Sequence, residues 1–191
     1  CISATKSGNE AVVKHFLGTN EVEINCKDSD WRTLLMLAVE HNHKSIVEQL
    51  LGTSKVDVNC RDRKGRTPLL AAAKNRRADI VELLLSTGKA VVNSMDNDRR
   101  TPLLEAVETG DDNVVQQLLN TGDVDINLPD QNGRTPLRAA AEAGYGVIVK
   151  QLLSTGKADI NSQDHTDEKT ALLAASEAGH EVIVRQLLSL G

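Results

Sequence analysis

The chain has 191 residues, carries a net charge of −5 at pH 7 and is 40% hydrophobic, but only 2% of its residues are aromatic. The net negative charge argues against nucleic acid or an acidic membrane as the partner of the whole chain, and the shortage of aromatic residues argues against a small-molecule pocket. No apolar run approaches the roughly 18 residues of a membrane-spanning helix.

A short pattern recurs along the chain, and its copies open at Thr33, Thr67, Thr101, Thr135 and Thr170. An internal period in the range of about 20 to 50 residues is the signature of a solenoid. In chain order we define a partial repeat 1 (1–27), full repeats 2 (28–61), 3 (62–95), 4 (96–129) and 5 (130–163), and a C-terminal repeat 6 (164–191). No linker interrupts them, so the sequence predicts one domain over 1–191.

Each repeat has the same predicted elements, which repeat 3 shows best. Thr67 can cap a first helix that starts at Pro68, where the missing N–H of proline costs nothing. The stretch 77–85 has its apolar residues at helical spacing and predicts a second helix, which ends at the glycine of Ser86-Thr87-Gly88. A short extended stretch then leads to the next repeat, so each repeat is predicted to be helix, tight turn, helix and hairpin-like loop.

The form Asp-x-x-Gly-Arg-Thr-Pro-Leu-Leu-x-Ala-Ala at 62–73 resembles the ankyrin repeat, and the resemblance extends over the whole chain. It implies an all-α solenoid that binds protein partners without catalysis. The Thr-Gly connectors at 87–88, 121–122 and 155–156 are similar to those of arrays in large fungal multidomain proteins. Because the chain begins at Cys1, without methionine or a signal-peptide pattern, we expect it to be a piece of a longer protein.

The sequence departs from the family pattern at three kinds of position. Met36, Leu70, Leu104, Arg138 and Leu173 replace the family histidine, and we expect apolar contacts to substitute for its hydrogen bonds in most repeats. Trp31, Arg99 and Glu168 replace the glycine of the hairpin tip, which predicts either backbone strain or a changed turn. Glu105 lies in an otherwise apolar first helix, and we expect it to be half-exposed, because a buried unpaired carboxylate is costly.

No catalytic, metal-binding or cofactor motif is present in the sequence. We interpret the recurrent Asp28, Asp62, Asp96, Asp130 and Asp164 as turn residues that bond local N–H groups. The recurrent asparagines, Asn25, Asn59, Asn93, Asn127 and Asn161, match a position that asparaginyl hydroxylases modify in some ankyrin proteins, although hairpin hydrogen bonding also explains them. Cys26 and Cys60 hold equivalent positions and are interpreted as reduced filler residues, which favours an intracellular, cytoplasmic protein, with the nucleus as the alternative.

The resemblance implies a partner groove formed by hairpin tips and the exposed side of the first helices. Our candidate partner-binding residues on that surface are Trp31, Arg32, Arg63, Lys64, Arg66, Lys74, Asn97, Arg100 and Arg134. Since positive charge concentrates in repeat 3, we hypothesise that this basic patch receives an acidic segment of a protein partner, with Trp31 as an aromatic anchor.

Two alternatives stay open. The row of basic tip residues and a row of glutamates on the first helices, including Glu40 and Glu108, could simply neutralise each other. The basic patch of repeats 2 to 4 could instead bind nucleic acid or another anionic ligand, but the net acidity and the lack of interleaved aromatic residues argue against nucleic acid. We expect the chain to be monomeric.

Overall fold

The computed structural model describes residues 1–19, 23–165 and 168–189. Within these ranges the chain forms twelve α-helices and no strand, which confirms the all-α fold class. The helices are α1 Ile2–Lys6, α2 Glu10–Thr19, α3 Leu34–Glu40, α4 Lys44–Leu51, α5 Pro68–Lys74, α6 Ala78–Ser86, α7 Pro102–Thr109, α8 Asp112–Leu119, α9 Pro136–Glu142, α10 Gly146–Ser154, α11 Ala171–Glu177 and α12 Glu181–Leu188. Each repeat contributes one inner helix (odd number) and one outer helix (even number).

The helices fall into two compact units, Cys1–Asn97 and Asp98–Gly191. In the first unit, inner helix α3 packs against α1 and α5, and outer helix α4 packs against α2 and α6. In the second unit, α9 packs against α7 and α11, and α10 packs against α8 and α12. The predicted single domain over 1–191 stays a prediction. Residues 20–22 of repeat 1 and residues 166–167 and 190–191 of repeat 6 lie outside the described residues.

Threonine caps set the start of the inner helices as the sequence predicts. The hydroxyl of Thr67 accepts a hydrogen bond from the N–H of Leu70 at 3.3 Å, and Pro68 occupies the first helical position. Thr33, Thr101, Thr135 and Thr170 cap α3, α7, α9 and α11 in the same way. In α3 the apolar residues from Leu34 to Val39 are all completely buried, so the cap fixes where this core segment begins.

A second set of threonines closes the outer helices. The hydroxyl of Thr53 donates to the carbonyl of Leu50, and that of Thr87 donates to the carbonyl of Leu84, both at 2.7 Å. Thr121 and Thr155 repeat this contact. Because the last carbonyls of a helix have no partner within the helix, the connector threonines give each outer helix a defined end. None of the helices in the described ranges has the length and apolar character required to cross a membrane.

The residues that replace the tip glycine keep the glycine conformation. Trp31, Arg99 and Glu168 have φ angles of 64°, 60° and 54°, in the left-handed region that Gly65 and Gly133 occupy in their repeats. Of the two predicted outcomes, backbone strain therefore holds and the turn is kept. Asn42 and Arg76, just after the inner helices α3 and α5, also have positive φ angles, of 60° and 57°, which the sequence analysis did not identify.

The expectation that Glu105 is half-exposed is wrong. Glu105 is only 2% exposed, and its carboxylate pairs with Nη1 of Arg100 at 3.4 Å. The cost of burying a carboxylate is offset here by a cation placed five residues earlier in the chain.

Arg138 takes over the bracing role expected of the family histidine. It is 8% exposed, and its guanidinium contacts the fully buried carboxylate of Asp164 in the next repeat. In repeats 2 and 3 the corresponding aspartates, Asp28 and Asp62, instead pair with an arginine four residues later in their own repeat. Repeat 6 has Lys169 at that place, and the Lys169 ammonium lies 2.8 Å from the carboxylate of Glu177. Arg138 thus supplies from the preceding repeat the guanidinium that repeat 6 lacks.

Replacing Arg138 by leucine, the residue of repeats 3 and 4 at this position, should therefore destabilise the second unit. Breaking a buried ion pair typically costs about 3 kcal/mol, so we expect a clearly lower melting temperature in circular dichroism. Adding Asp164→Asn to Arg138→Leu removes the stranded charge and should recover part of the loss. A melting temperature unchanged by Arg138→Leu would contradict the bracing role.

Cys60 is a buried thiol that stands in for a serine. Its Sγ lies 3.0 Å from the hydroxyl of Thr33, as the Ser94 hydroxyl lies 3.0 Å from that of Thr67 one repeat later. The three cysteines, Cys1, Cys26 and Cys60, are free thiols. Burial raises the pKa of the Cys60 thiol to about 11, and since the thiolate is the reactive form, Cys60 is chemically protected.

We expect Cys60 to resist iodoacetamide at pH 8 in the native protein and to react quickly after unfolding, as followed by peptide mass spectrometry. Cys60→Ser should preserve the melting temperature, because it reproduces the pair formed by Thr67 and Ser94. Rapid native labelling of Cys60 would contradict its burial.

Candidate functional site

Each hairpin tip is organised by the aspartate that opens its repeat. Oδ1 of Asp62 accepts hydrogen bonds from the N–H groups of Lys64 and Arg66, both at 2.9 Å. Asp28 bonds the N–H groups of Asp30 and Arg32 in the same way, and Asp130 bonds those of Asn132 and Arg134. These contacts support the interpretation of the recurrent aspartates as turn residues.

Consecutive tips are joined through their backbones within each unit. The N–H of Arg63 donates to the carbonyl of Asp30 at 3.0 Å, and that of Asn97 donates to the carbonyl of Lys64 at 2.9 Å. In the second unit Gln131 bonds Asp98, and His165 bonds Asn132. Gly65 is required at its tip, because its φ is 76° and an added Cβ would lie 2.5 Å from Oδ1 of Asn97. Within each unit, these backbone hydrogen bonds thus hold consecutive tips at a fixed spacing.

The recurrent asparagines tie together the extended connectors of successive repeats. The amide of Asn25 donates to the carbonyl of Lys55 at 3.0 Å, and its oxygen accepts from the N–H of Asp57 at 2.9 Å. Asn59 and Asn127 make the same two hydrogen bonds with backbone groups that lie 30 and 32 residues later in the chain. The hydrogen-bonding interpretation is supported at these three positions, although the bonds reach the next repeat and not the same hairpin.

In each unit, two arginines of the tip row are held by carboxylates. Arg32 pairs with Asp28 at 2.8 Å and with Glu40 at 3.1 Å. Arg66 pairs with Glu40 at 3.2 Å and also with Asp62. Glu40 on α3 therefore bridges two consecutive tips, so neutralisation between the two rows describes Arg32 and Arg66. In the second unit, Glu108 bridges Arg100 and Arg134 in the same way.

The pKa of the Asp28 carboxylate is strongly perturbed. Burial alone would raise its pKa, but hydrogen bonds from the Arg32 side chain, from the N–H groups of Arg32 and Asp30 and from the Lys6 side chain outweigh burial and hold the pKa well below its usual range. The carboxylate is therefore charged at every pH at which the protein is folded under ordinary conditions.

Two cations on the tip of repeat 3 differ from the paired arginines. Arg63 and Lys64 are exposed, and neither side chain forms an ion pair within 4.0 Å with any residue that the structure describes. The neighbouring Arg61 is different, because its Nη1 donates to the carbonyls of Gly65 at 2.8 Å and Met95 at 2.6 Å. Positive charge available to a ligand thus concentrates on Arg63 and Lys64.

A cavity of about 290 Å³ lies between the tips of repeats 2 and 3. Its lining residues are Asp30, Arg32, Asp62, Arg63, Lys64 and Arg66; we call it the tip cavity. Trp31 lies between two of them in the chain, is 54% exposed and has the ammonium of Lys27 5.5 Å from its ring centroid. The cavity thus has four cations in its wall, and an exposed aromatic residue adjoins two of its lining residues in the chain.

The structure groups only some of the nine candidate residues. Four line the tip cavity and Trp31 adjoins it. Lys74 is exposed at the end of α5 and does not line the cavity. Asn97 does not line it either, but its amide donates to the carbonyl of Arg63 at 3.1 Å. Arg100 and Arg134 belong to the second unit. The sequence analysis named Asp62 as a turn residue and Glu40 in the glutamate row, but it did not place Asp30 or Asp62 in the wall of a cavity.

No group of three or more His, Cys, Asp or Glu side chains in the described ranges is placed to hold a metal ion. The rings of His41 and His43 stack with centroids 6.0 Å apart. Nδ1 of His41 lies 2.9 Å from the carbonyl of Leu37, and Nε2 of His43 lies 3.2 Å from that of Lys6. These histidines have structural partners in the backbone.

The lowered pKa of Asp28 predicts a pH-dependent contribution to stability. A carboxylate with a depressed folded pKa stabilises the fold above its unfolded pKa of about 3.9, and this stabilisation is lost as the pH falls through the folded pKa. We expect Asp28→Asn to lower the urea midpoint at pH 7, and the difference from wild type to shrink progressively below about pH 4. The control is Asp30→Asn, whose side chain is 59% exposed and whose removal should matter much less. A wild-type advantage that persisted unchanged at pH 2 would contradict this.

Comparisons with known proteins agree with this architecture. The family model described as ankyrin repeats (3 copies) matches residues 1–96 and 89–164. The crystal structure of EF0377, an ankyrin repeat protein, is 26% identical and superimposes with a TM-score of 0.90, covering 98% of this chain and 95% of that chain. A search of curated proteins finds no match. The matched residues, the capped helix pairs and the ladder of hairpin tips together show that the chain belongs to the ankyrin-repeat family.

Proposed function

We propose that the chain is a non-catalytic interaction module whose first unit binds an acidic segment of a protein partner at the tips of repeats 2 and 3. Ankyrin repeats are generally protein–protein interaction modules. The observation that carries the finer proposal is the position of Arg63 and Lys64, two exposed cations without an ion pair to any described residue, at the tip cavity. An intracellular location, in the cytoplasm, and a monomeric state belong to the same proposal.

The residues of the surface divide into two roles. Arg32 and Arg66 hold the tips against α3 through Glu40, so they position the surface and contribute little new charge. Arg63 and Lys64 can form charge-assisted hydrogen bonds to partner carboxylates, which are stronger than neutral hydrogen bonds. Trp31 offers apolar area beside them, as expected of an anchor.

Nucleic acid is the less favoured ligand for the same surface. A phosphate backbone that follows the tips would meet the carboxylates of Asp30 and Asp62 in the cavity wall. Single-stranded nucleic acid also needs successive aromatic platforms, and Trp31 is the only tryptophan in the chain. Binding of an oligonucleotide that weakened steeply with salt would favour this alternative.

The chain supplies its own matched variants for a test. Arg63 and Lys64 correspond to Gln131 and Asn132 in the tip of repeat 5. The double variant Arg63→Gln/Lys64→Asn therefore gives repeat 3 the tip residues of repeat 5 and leaves Arg66 in place. The control Gln131→Glu/Asn132→Glu changes the net charge by the same two units at a distant tip.

We expect a protein captured from lysate by the wild-type array to be retained by the control and weakened about tenfold, or roughly 1.4 kcal/mol, by Arg63→Gln/Lys64→Asn. Affinities would be measured by calorimetry with the purified partner, and equal melting temperatures would show that all variants are folded. Equal binding by wild type and Arg63→Gln/Lys64→Asn would overturn the proposed site.

A further inference from the structure

We propose that the tip cavity recognises a phosphorylated serine or threonine side chain of the partner in preference to a carboxylate. This inference rests on the proposed function and specifies its ligand. The cavity is lined by four cations and two carboxylates from two consecutive tips, and its hydrogen-bonding groups divide into those already engaged and those available to a ligand.

The available donors come from three side chains of one tip. Arg63 and Lys64 make no ion pair within 4.0 Å to any described residue. Arg66 is partly engaged: its Nε donates to Asp62 at 2.7 Å and its Nη2 to Glu40 at 3.2 Å, whereas its Nη1 makes no hydrogen bond to the described part of the chain. Because two carboxylates fix the guanidinium plane, this nitrogen is a preoriented donor.

The two lining carboxylates, which other groups of the chain already engage, determine the charge that a ligand needs. The Asp30 carboxylate lies 3.2 Å from Nη2 of Arg32, and the Asp62 carboxylate is bonded to two backbone N–H groups and to Arg66. Both carboxylates remain in the cavity wall when a ligand binds, so the four lining cations leave a net lining charge of +2, four minus two. A ligand with two negative charges therefore neutralises the lining, whereas a ligand with one negative charge does not.

A phosphate monoester meets this requirement better than a carboxylate. It carries about −1.5 to −2 charges at pH 7 and three strong acceptor oxygens, which match the two unpaired cations and the three donor side chains. A glutamate carboxylate offers a single charge and two oxygens. The tip cavity, at about 290 Å³, also exceeds the roughly 30 Å³ of one water molecule about tenfold, so a phosphate fits together with bridging waters.

Trp31 provides a built-in reporter of this site. It is the only tryptophan, it is 54% exposed, and its two chain neighbours, Asp30 and Arg32, both line the cavity. A ligand in the cavity should therefore change the intrinsic fluorescence of the protein.

The test is a fluorescence titration with three pools of short peptides that share degenerate flanks and carry phosphoserine, glutamate or serine at the centre. Inorganic phosphate alone forms a fourth arm, which separates a phosphorylated peptide from free phosphate as the ligand. We expect the phosphoserine pool to bind at least about tenfold more tightly than the glutamate pool, a difference of roughly 1.4 kcal/mol, and the serine pool and free phosphate to bind more weakly still. Arg63→Gln/Lys64→Asn should abolish the preference, and Gln131→Glu/Asn132→Glu should keep it.

The outcomes separate this inference from the proposed function. Equal binding of the phosphoserine and glutamate pools, both lost in Arg63→Gln/Lys64→Asn, would overturn phosphate selectivity and leave acidic-segment binding standing. Phosphate selectivity that survived Arg63→Gln/Lys64→Asn would overturn the assignment to the tip cavity. Failure of every pool, together with capture that is insensitive to the variant, would overturn both.

Discussion

The surface depends on the contact between the first aspartate of a repeat and the arginine four residues later. In repeats 2 and 3 this aspartate shapes the hairpin tip through two backbone N–H bonds, and its second oxygen holds the arginine side chain. The arginine then reaches Glu40 on α3. A hairpin that would otherwise be a flexible loop is thereby fixed to the buried helix layer, and every other property of the tips follows from this anchoring.

Anchoring separates the cations into those used for folding and those left for binding. Ion pairs at partly exposed sites are individually weak, each worth about 0 to 1 kcal/mol. Glu40 pairs with an arginine from each of two consecutive tips and so links the two tips. Since Arg32 and Arg66 are occupied in this way, the total number of positive residues overstates the charge offered to a partner. The tip of repeat 3 carries both Arg63 and Lys64 beyond what the anchoring needs, and for this reason the proposed site is at the tips of repeats 2 and 3 and not along the whole basic row.

The sequence predicts features that depend on local spacing, but it does not predict which of several possible partners a charged side chain contacts. Threonine caps and helix positions follow from the register of the repeat alone, whereas the left-handed conformation of Trp31 was one of two outcomes that the sequence left open. The burial of Glu105 does not, because it depends on Arg100 turning inward, and neither does the role of Arg138, whose partner Asp164 belongs to the next repeat. The pairing of Arg32 and Arg66 with Glu40 was one of two interpretations that the spacing left open, since exposed charges separated in sequence can either pair or remain solvated.

Trp31 breaks the repeat pattern at the hairpin tip of repeat 2. A bulky residue with a positive φ angle costs roughly 1 to 2 kcal/mol relative to glycine, and an exposed indole gains nothing from the core in return. The turn nevertheless persists, because the N–H of Trp31 bonds the carbonyl of Asp28 and the carbonyl of Asp30 accepts from Arg63 in the next repeat. In a repeat protein each unit is supported by its neighbours, so one tip can carry this strain without unfolding. Arg99 and Glu168 have the same left-handed φ at their tips, so backbone strain alone does not identify a site; Trp31 differs from them in presenting an exposed indole, which follows Asp30 and precedes Arg32, two residues that line the tip cavity.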